Sequence, residues 1–181
     1  GKMGRGIVLL LSKTILPKNV ELNKNQKIIA FDISSNGLSE MIEYIEYQSY
    51  RYAEKNIDWV KSLFQKNTDL IDDSDFVKFY VKEIKNLIHI TDKVEDTYSS
   101  GLIFEAVAEK IDIKSTLFQK IDKNSVVRPY FFTNTSSIPI SAIETKAQLN
   151  GRVIGLHFYN PPPIQKLLEI IRSEQTEEKL F

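Results

Sequence analysis

The chain has 181 residues, 42% apolar and 27% charged, which is enough for one well-buried domain and ordinary for a globular protein. Twenty-four basic residues balance twenty-four acidic ones, so no global field draws in nucleic acid or an anionic membrane, and any anion must be held by local geometry. No cysteine is present, which excludes disulfides, thiolate metal sites and cysteine nucleophiles.

Lys2, Arg5, Lys13 and Lys18 surround the apolar run Ile7-Val8-Leu9-Leu10-Leu11, with no acid among the first twenty residues. That run is too short for a signal peptide and lacks its cleavage site, while serine and arginine are scarce for a mitochondrial presequence. No apolar run approaches the roughly 20 residues that span a bilayer, so no membrane insertion is expected. Met3 to Leu11 reads as a short helix preceded by glycines. Lys13 to Lys27, polar and containing Pro17 and three asparagines, reads as a loop. Ile28 to Phe31 is a continuous apolar run ending in Asp32, the pattern of a buried parallel strand.

After the turn Ser34-Ser35-Asn36-Gly37, Leu38, Met41, Ile42 and Ile45 mark a helix reaching the Lys55 region, and a second follows around Trp59, Val60, Leu63 and Phe64. Val77, Tyr80, Val81, Ile84 and Ile88 repeat the helical period, with a turn into strand near Leu87–Ile90. The acidic cluster Asp72-Asp73-Asp75 reads as a solvated turn without the spacing of a calcium loop, and no metal site is expected. Further on come a strand at Gly101–Val107, a helix through Ile113, Leu117 and Ile121, a strand at Pro129–Thr133, and a short helix near Ile140–Gln148. A strand at Val153–Tyr159 is stopped by Asn160 and three prolines. Leu167–Ile171 fits helix or strand, and Thr176 is placed to cap a last helix. Strands alternating with helices imply an α/β fold with an open, mostly parallel sheet covered on both faces.

Two features point to a dinucleotide. Gly1-Lys2-Met3-Gly4-Arg5-Gly6 fits the later part of a GxGxxG turn, whose glycines admit a pyrophosphate to a helix N-terminus. The preceding strand and the first glycine are absent, and a glycine-rich start without such a role is the competing reading. Asp32, at the end of a strand, is placed to accept hydrogen bonds from both adenosine ribose hydroxyls and to repel a 2′-phosphate, favouring NAD over NADP. An acid near a helix N-terminus is the alternative. The separation from the glycine turn is roughly ten residues beyond the usual ~20, an excess assigned to the Lys13–Lys27 loop.

Four blocks then stand in order: Leu102-Ile103-Phe104-Glu105-Ala106-Val107-Ala108-Glu109, Thr133-Asn134-Thr135-Ser136-Ser137, Gly155-Leu156-His157-Phe158-Tyr159-Asn160-Pro161, and Lys166-Leu167-Leu168-Glu169-Ile170-Ile171. In these the chain resembles the L-3-hydroxyacyl-CoA dehydrogenase family, with its order and spacing. The resemblance implies a Rossmann-like, doubly wound NAD-binding domain over residues 1–181. His157 matches the catalytic histidine, a base that takes a hydroxyl proton near pH 7 as hydride leaves for nicotinamide. Glu169 matches its carboxylate partner, and Ser136 the serine that hydrogen-bonds the reacting oxygen beside cofactor and substrate. By the same resemblance Gly1, Met3, Gly4, Asp32, Glu109, Lys114, Asn134 and Asn160 line the NAD site, and Lys55 meets the CoA portion. Ser137 is the expected cap of the following helix. His89, outside every block, and Trp59, Tyr44 and Tyr47 are assigned to surface or packing.

The resemblance leaves two parts of the family pattern outside the chain: the first strand, which carries the centre of the sheet, and the C-terminal helical domain that closes over acyl-CoA. A fragment of a working enzyme, a chain completed by another protein chain, and a catalytically inactive relative kept as a structural subunit all remain open. The pathway implied, fatty-acid β-oxidation, places the protein in the mitochondrial matrix, otherwise the cytoplasm.

Overall fold

The computed structural model describes residues 1–165 and 167–180; Lys166, the first residue of the fourth block, lies outside them. The chain divides into two compact units, Arg5–Asp92 and residues 93 onward, with Gly1–Gly4 grouped with the latter.

Helix α1 (Lys2–Leu22) is followed by β1 (Ile28–Phe31), α2 (Ser35–Lys55), α3 (Ile57–Leu63), α4 (Asp73–Leu87) and β2 (Ile88–Thr91). β1 and β2 pair in parallel, Ile28 opposite Ile88 and Phe31 opposite Thr91. Their core is built from Leu16, Ala30, Ile45, Val60, Tyr80 and Ile84.

The expected loop over Lys13–Lys27 is corrected here: α1 continues through Pro17 to Leu22, and only residues 23–27 are loop. A proline inside a helix costs about 3 kcal/mol through the lost N–H bond and the ring's clash. Burying Leu9 and Leu16 returns roughly 1.5–3 kcal/mol each, so packing overrides propensity. Asn19 closes the remaining loop, its amide donating to the Gln26 carbonyl (2.9 Å) and its oxygen accepting from the Gln26 N–H (3.1 Å). The Asp72-Asp73-Asp75 cluster is likewise more than a solvated turn. Asp72 accepts from the Asp75 N–H (3.0 Å) and Asp75 from the Asp72 N–H (3.3 Å), a reciprocal cap that opens α4.

The second unit runs from a 3₁₀ turn (Val94–Ser99) through β3 (Leu102–Glu105), α5 (Ile111–Asn124), β4 (Tyr130–Thr133), α6 (Ile140–Ala147), β5 (Val153–Phe158) and β6 (Leu168–Ile171). The strand order is β3-β4-β5-β6, with three parallel strands and β6 antiparallel. Phe118, Ile121, Phe131, Ile143 and Val153 form the buried centre. Arg152, buried between α5 and β5, forks onto Asp122 through both terminal nitrogens and donates to the Pro129 and Leu149 carbonyls, which satisfies the charge it brings inside.

Two further expectations change and one open alternative is settled. The strands form a two-stranded and a four-stranded sheet, and no strand joining them is among the described residues. The ambiguous Leu167–Ile171 segment is β6, held to β5 by a four-residue antiparallel register. Thr176 caps no helix: its hydroxyl accepts from the Ser173 N–H (2.9 Å), and the chain reaches only a short 3₁₀ turn at Glu178–Leu180.

Candidate active site

The polar groups of the second unit gather where its parallel strands end. β5 closes on Leu156-His157-Phe158, and antiparallel pairing sets Glu169 of β6 directly opposite His157. Side chains so paired lie on one face within reach of each other. The His157 Nδ1 is 2.7 Å from Glu169 Oε2, with the imidazole side chain 20% and the carboxylate 47% exposed. The contact with His157, and after it the neighbouring Tyr159 hydroxyl, hold the Glu169 carboxyl below the ordinary carboxylate range, outweighing its desolvation. With Nδ1–H directed at the carboxylate, Nε2 is the lone-pair nitrogen, which is the tautomer a general base requires. Gly155 lets this pair of strands close up, since a Cβ there would stand 2.9 Å from Ile171 Cβ and 3.0 Å from Ile140 Cδ1.

Asn134 follows β4 and ties its neighbours together. Its N–H donates to the Glu105 carbonyl (2.8 Å), and its side-chain oxygen accepts from the Phe158 N–H (2.8 Å), next to His157. Asn160 and Ser136 are exposed on the segments that leave β5 and β4.

Glu109 organises the turn after Asn134. Its Oε1 accepts from the Thr135 hydroxyl and from the backbone N–H groups of Ser136 (3.0 Å) and Ser137 (3.2 Å). Partial burial pushes this carboxyl up, but those donors together with Lys114 prevail and hold it down to about 2. Ser137 therefore bonds to Glu109 (3.3 Å) instead of capping α6, whose N-cap is Pro139. Lys114 lies in the same cluster. It is 1% exposed, with Nζ 2.8 Å from Glu105 Oε1 and 3.2 Å from Glu109 Oε2, so its charge is committed inside the protein. A buried ammonium is tolerated only when paired in this way. Glu105, absent from the sequence-based site, completes the cluster by accepting from the Val107 N–H (2.6 Å) and the Thr133 hydroxyl (2.7 Å). The one signal for it was an acid closing an apolar strand.

In the first unit, Asp32 ends β1, and its Oδ1 accepts from the Ser34 N–H (3.0 Å). Ser34 caps α2 by accepting from the Gly37 N–H (3.1 Å). A Cβ on Gly37 would stand 3.0 Å from Asp32 Oδ2, so glycine lets the start of α2 approach this close to the carboxylate. Gly1 precedes α1, while Met3 and Gly4 lie in its first turns. Those turns carry no acid, and a Cβ on Gly1 or Gly4 would meet nothing within 4 Å. Lys55 ends α2 and lines an open cleft of about 630 Å³ with Lys13, Tyr47, Arg51, Tyr52 and Glu54. Lys13 Nζ stands 4.0 Å above the Tyr52 ring. His89 is exposed on β2, and Trp59 packs edge-on against Tyr52 and Tyr80. No cluster of metal-binding side chains occurs among the described residues.

Comparison with known proteins agrees with this architecture. The family described as the 3-hydroxyacyl-CoA dehydrogenase NAD binding domain matches residues 1–181. The rat protein named mitochondrial hydroxyacyl-coenzyme A dehydrogenase is 30% identical over 181 residues, covering 100% of this chain and 51% of its own length. A 3-hydroxybutyryl-CoA dehydrogenase of Clostridioides difficile is 34% identical over 126 residues, 69% of this chain and 45% of that protein. Among solved structures, 3-hydroxybutyryl-CoA dehydrogenase from Escherichia coli K12 superposes with a TM-score of 0.73 at 24% identity, over 99% of this chain and 32% of that one. The (S)-3-hydroxybutyryl-CoA dehydrogenase of Ralstonia eutropha gives 0.74 at 22%, over 99% and 53%. These likenesses show a shared Rossmann-type dehydrogenase fold. The chain spans about half the length of the curated relatives it matches. It belongs to the 3-hydroxyacyl-CoA dehydrogenase family and is matched over its whole length by that family's NAD-binding domain.

Proposed function

We propose that the protein takes part in oxidising an L-3-hydroxyacyl-CoA to the 3-ketoacyl-CoA with NAD, in fatty-acid β-oxidation. The observation that carries this reading is the 2.7 Å contact between His157 Nδ1 and Glu169. NAD, when bound, supplies the hydride acceptor. His157 takes the hydroxyl proton on Nε2, and Glu169 holds the ring in the required tautomer and stabilises the imidazolium that forms. Ser136 hydrogen-bonds the substrate oxygen.

The residues present fit the cofactor. Asp32, at the end of β1 and against the start of α2, suits the adenosine ribose. Gly1, Met3 and Gly4, in an acid-free helix start that is sterically open at both glycines, suit the diphosphate. Glu109, Asn134 and Asn160 serve the nicotinamide side, with Lys114 acting through Glu109. The cationic cleft at Lys55 suits the phosphates of CoA, with Lys13 and Arg51 adding charge.

Ile164, Leu167, Leu168, Ile170 and Ile171 are all exposed at and before β6. Grouped apolar exposure supports a covering partner, either a helical domain or another protein chain, which would close the substrate cleft and exclude water. The same surface would serve an inactive relative docked in a larger assembly. Mitochondrial relatives support a mitochondrial matrix setting. Titrating NADH while following its fluorescence tests the reading: saturable binding is expected, and no binding at about 1 mM would overturn the cofactor site.

A further inference from the structure

β6 stands at the edge of the four-stranded sheet, and all four of its residues are exposed. A strand with one buried face takes its register from its apolar pattern, and β6 has no such face. A slip of one residue would carry Glu169 to the far side of the sheet from His157. The room that Gly155 leaves for Ile171 permits the observed register without fastening it.

The fastening lies just past the strand. The Ser173 hydroxyl, two residues beyond Ile171, donates to Glu144 Oε2 (2.7 Å), and Glu144 Oε1 accepts from the Val153 N–H (3.4 Å) at the start of β5. Glu144 is 1% exposed in α6, so its carboxyl group joins the buried side of the sheet to the segment leaving β6. Thr176 adds to this: its hydroxyl accepts from the Ser173 N–H (2.9 Å) and donates to the Val153 carbonyl (3.3 Å). The Glu177 N–H then donates to the Gly151 carbonyl (2.9 Å). The approach there is close enough that a Cβ on Gly151, at φ 85°, would collide with the Gln175 carbonyl oxygen.

We propose that Glu144 and Ser173 are positioning residues for the histidine–carboxylate pair: they fix the register of β6 against β5 and thereby set Glu169 opposite His157. With β6 seated, His157 Nδ1–H meets a fixed acceptor and the ring keeps one tautomer; with the strand free to slip, the ring samples both. The inference rests on the dehydrogenase reading only for its consequence for turnover.

Ser173→Ala removes the donor, and Ser173→Thr restores a hydroxyl. In the 181-residue chain labelled with ¹⁵N, the His157 ring signals, identified by their loss in His157→Gln, report the tautomer of the neutral ring. The parent should hold Nδ1–H almost alone. Ser173→Ala should show both tautomers, with the β6 amides exchanging several-fold faster, and Ser173→Thr should return to the parent. Glu144→Met, which removes the acceptor, should match Ser173→Ala. Where these variants do not fold, native-state exchange in the parent decides: the Ser173 and Glu177 amides should open together with those of β6. A parental tautomer in Ser173→Ala, or a Ser173 amide that exchanges freely while β6 stays protected, overturns the proposal. Neither readout needs cofactor or turnover. Mixed tautomers in Ser173→Ala beside a parent that fails to bind NADH support the register role and sink the dehydrogenase reading alone. A parental tautomer beside normal NADH binding sinks the register role alone.

Discussion

Replacing Lys114 with methionine removes the cation from a cluster whose acids stay behind. The ammonium stands 2.8 and 3.0 Å from the two oxygens of Glu105 and 3.2 Å from Glu109. Lys114 and Glu105 are almost wholly buried, so water cannot replace the lost partner. Methionine fills much the same volume, which keeps the cavity contribution small. What remains is an uncompensated buried carboxylate, a loss of about 3–5 kcal/mol. For a domain of this size that lowers the melting temperature by roughly 6–20 °C. Urea unfolding followed by circular dichroism measures it. The double variant Glu105→Gln/Lys114→Met should recover about half the loss, because a neutral amide still accepts from Thr133 and Val107 without needing a cation. A single variant within about 1 kcal/mol of the parent would refute the assignment of a buried, charge-paired core at this end of β3.

The Glu109 carboxyl lies at about 2 in the folded chain against an ordinary 4.5. Its stabilisation is thus complete above about pH 4.5 and is lost as the pH falls through 2. At 37% exposure, screening leaves about 1 kcal/mol of it, and Glu109→Gln should flatten that part of the urea midpoint's pH profile. Gly155→Ala puts a methyl against Ile171 and Ile140, and should cost about 1–3 kcal/mol in unfolding while slackening the His157–Glu169 contact as seen by imidazole NMR. Lys55→Ala should weaken CoA binding about 5-fold by calorimetry and leave NADH binding unchanged.

Much of this was legible before the structure. The apolar runs at Ile28–Phe31 and Gly101–Val107 announced strands of a mostly parallel sheet, and the four-block pattern led to His157 and Glu169 twelve positions apart. What escaped was decided by contacts remote in sequence. The polar residues and Pro17 pointed to a loop after Leu11, while the burial of Leu16 keeps the helix intact. Leu167–Ile171 has no period that separates helix from strand, and only pairing with β5 settles it. Nothing local in the sequence reveals that Lys114 pairs with Glu105 nine residues earlier.

The role of His157 as the base is open to one direct measurement. In a form of the protein that reduces a 3-ketoacyl-CoA with NADH, His157→Gln should lower kcat by about 10²–10⁴-fold while the Kd for NADH stays within about 2-fold. A His157→Gln protein that turns over at a near-parental rate would contradict the account.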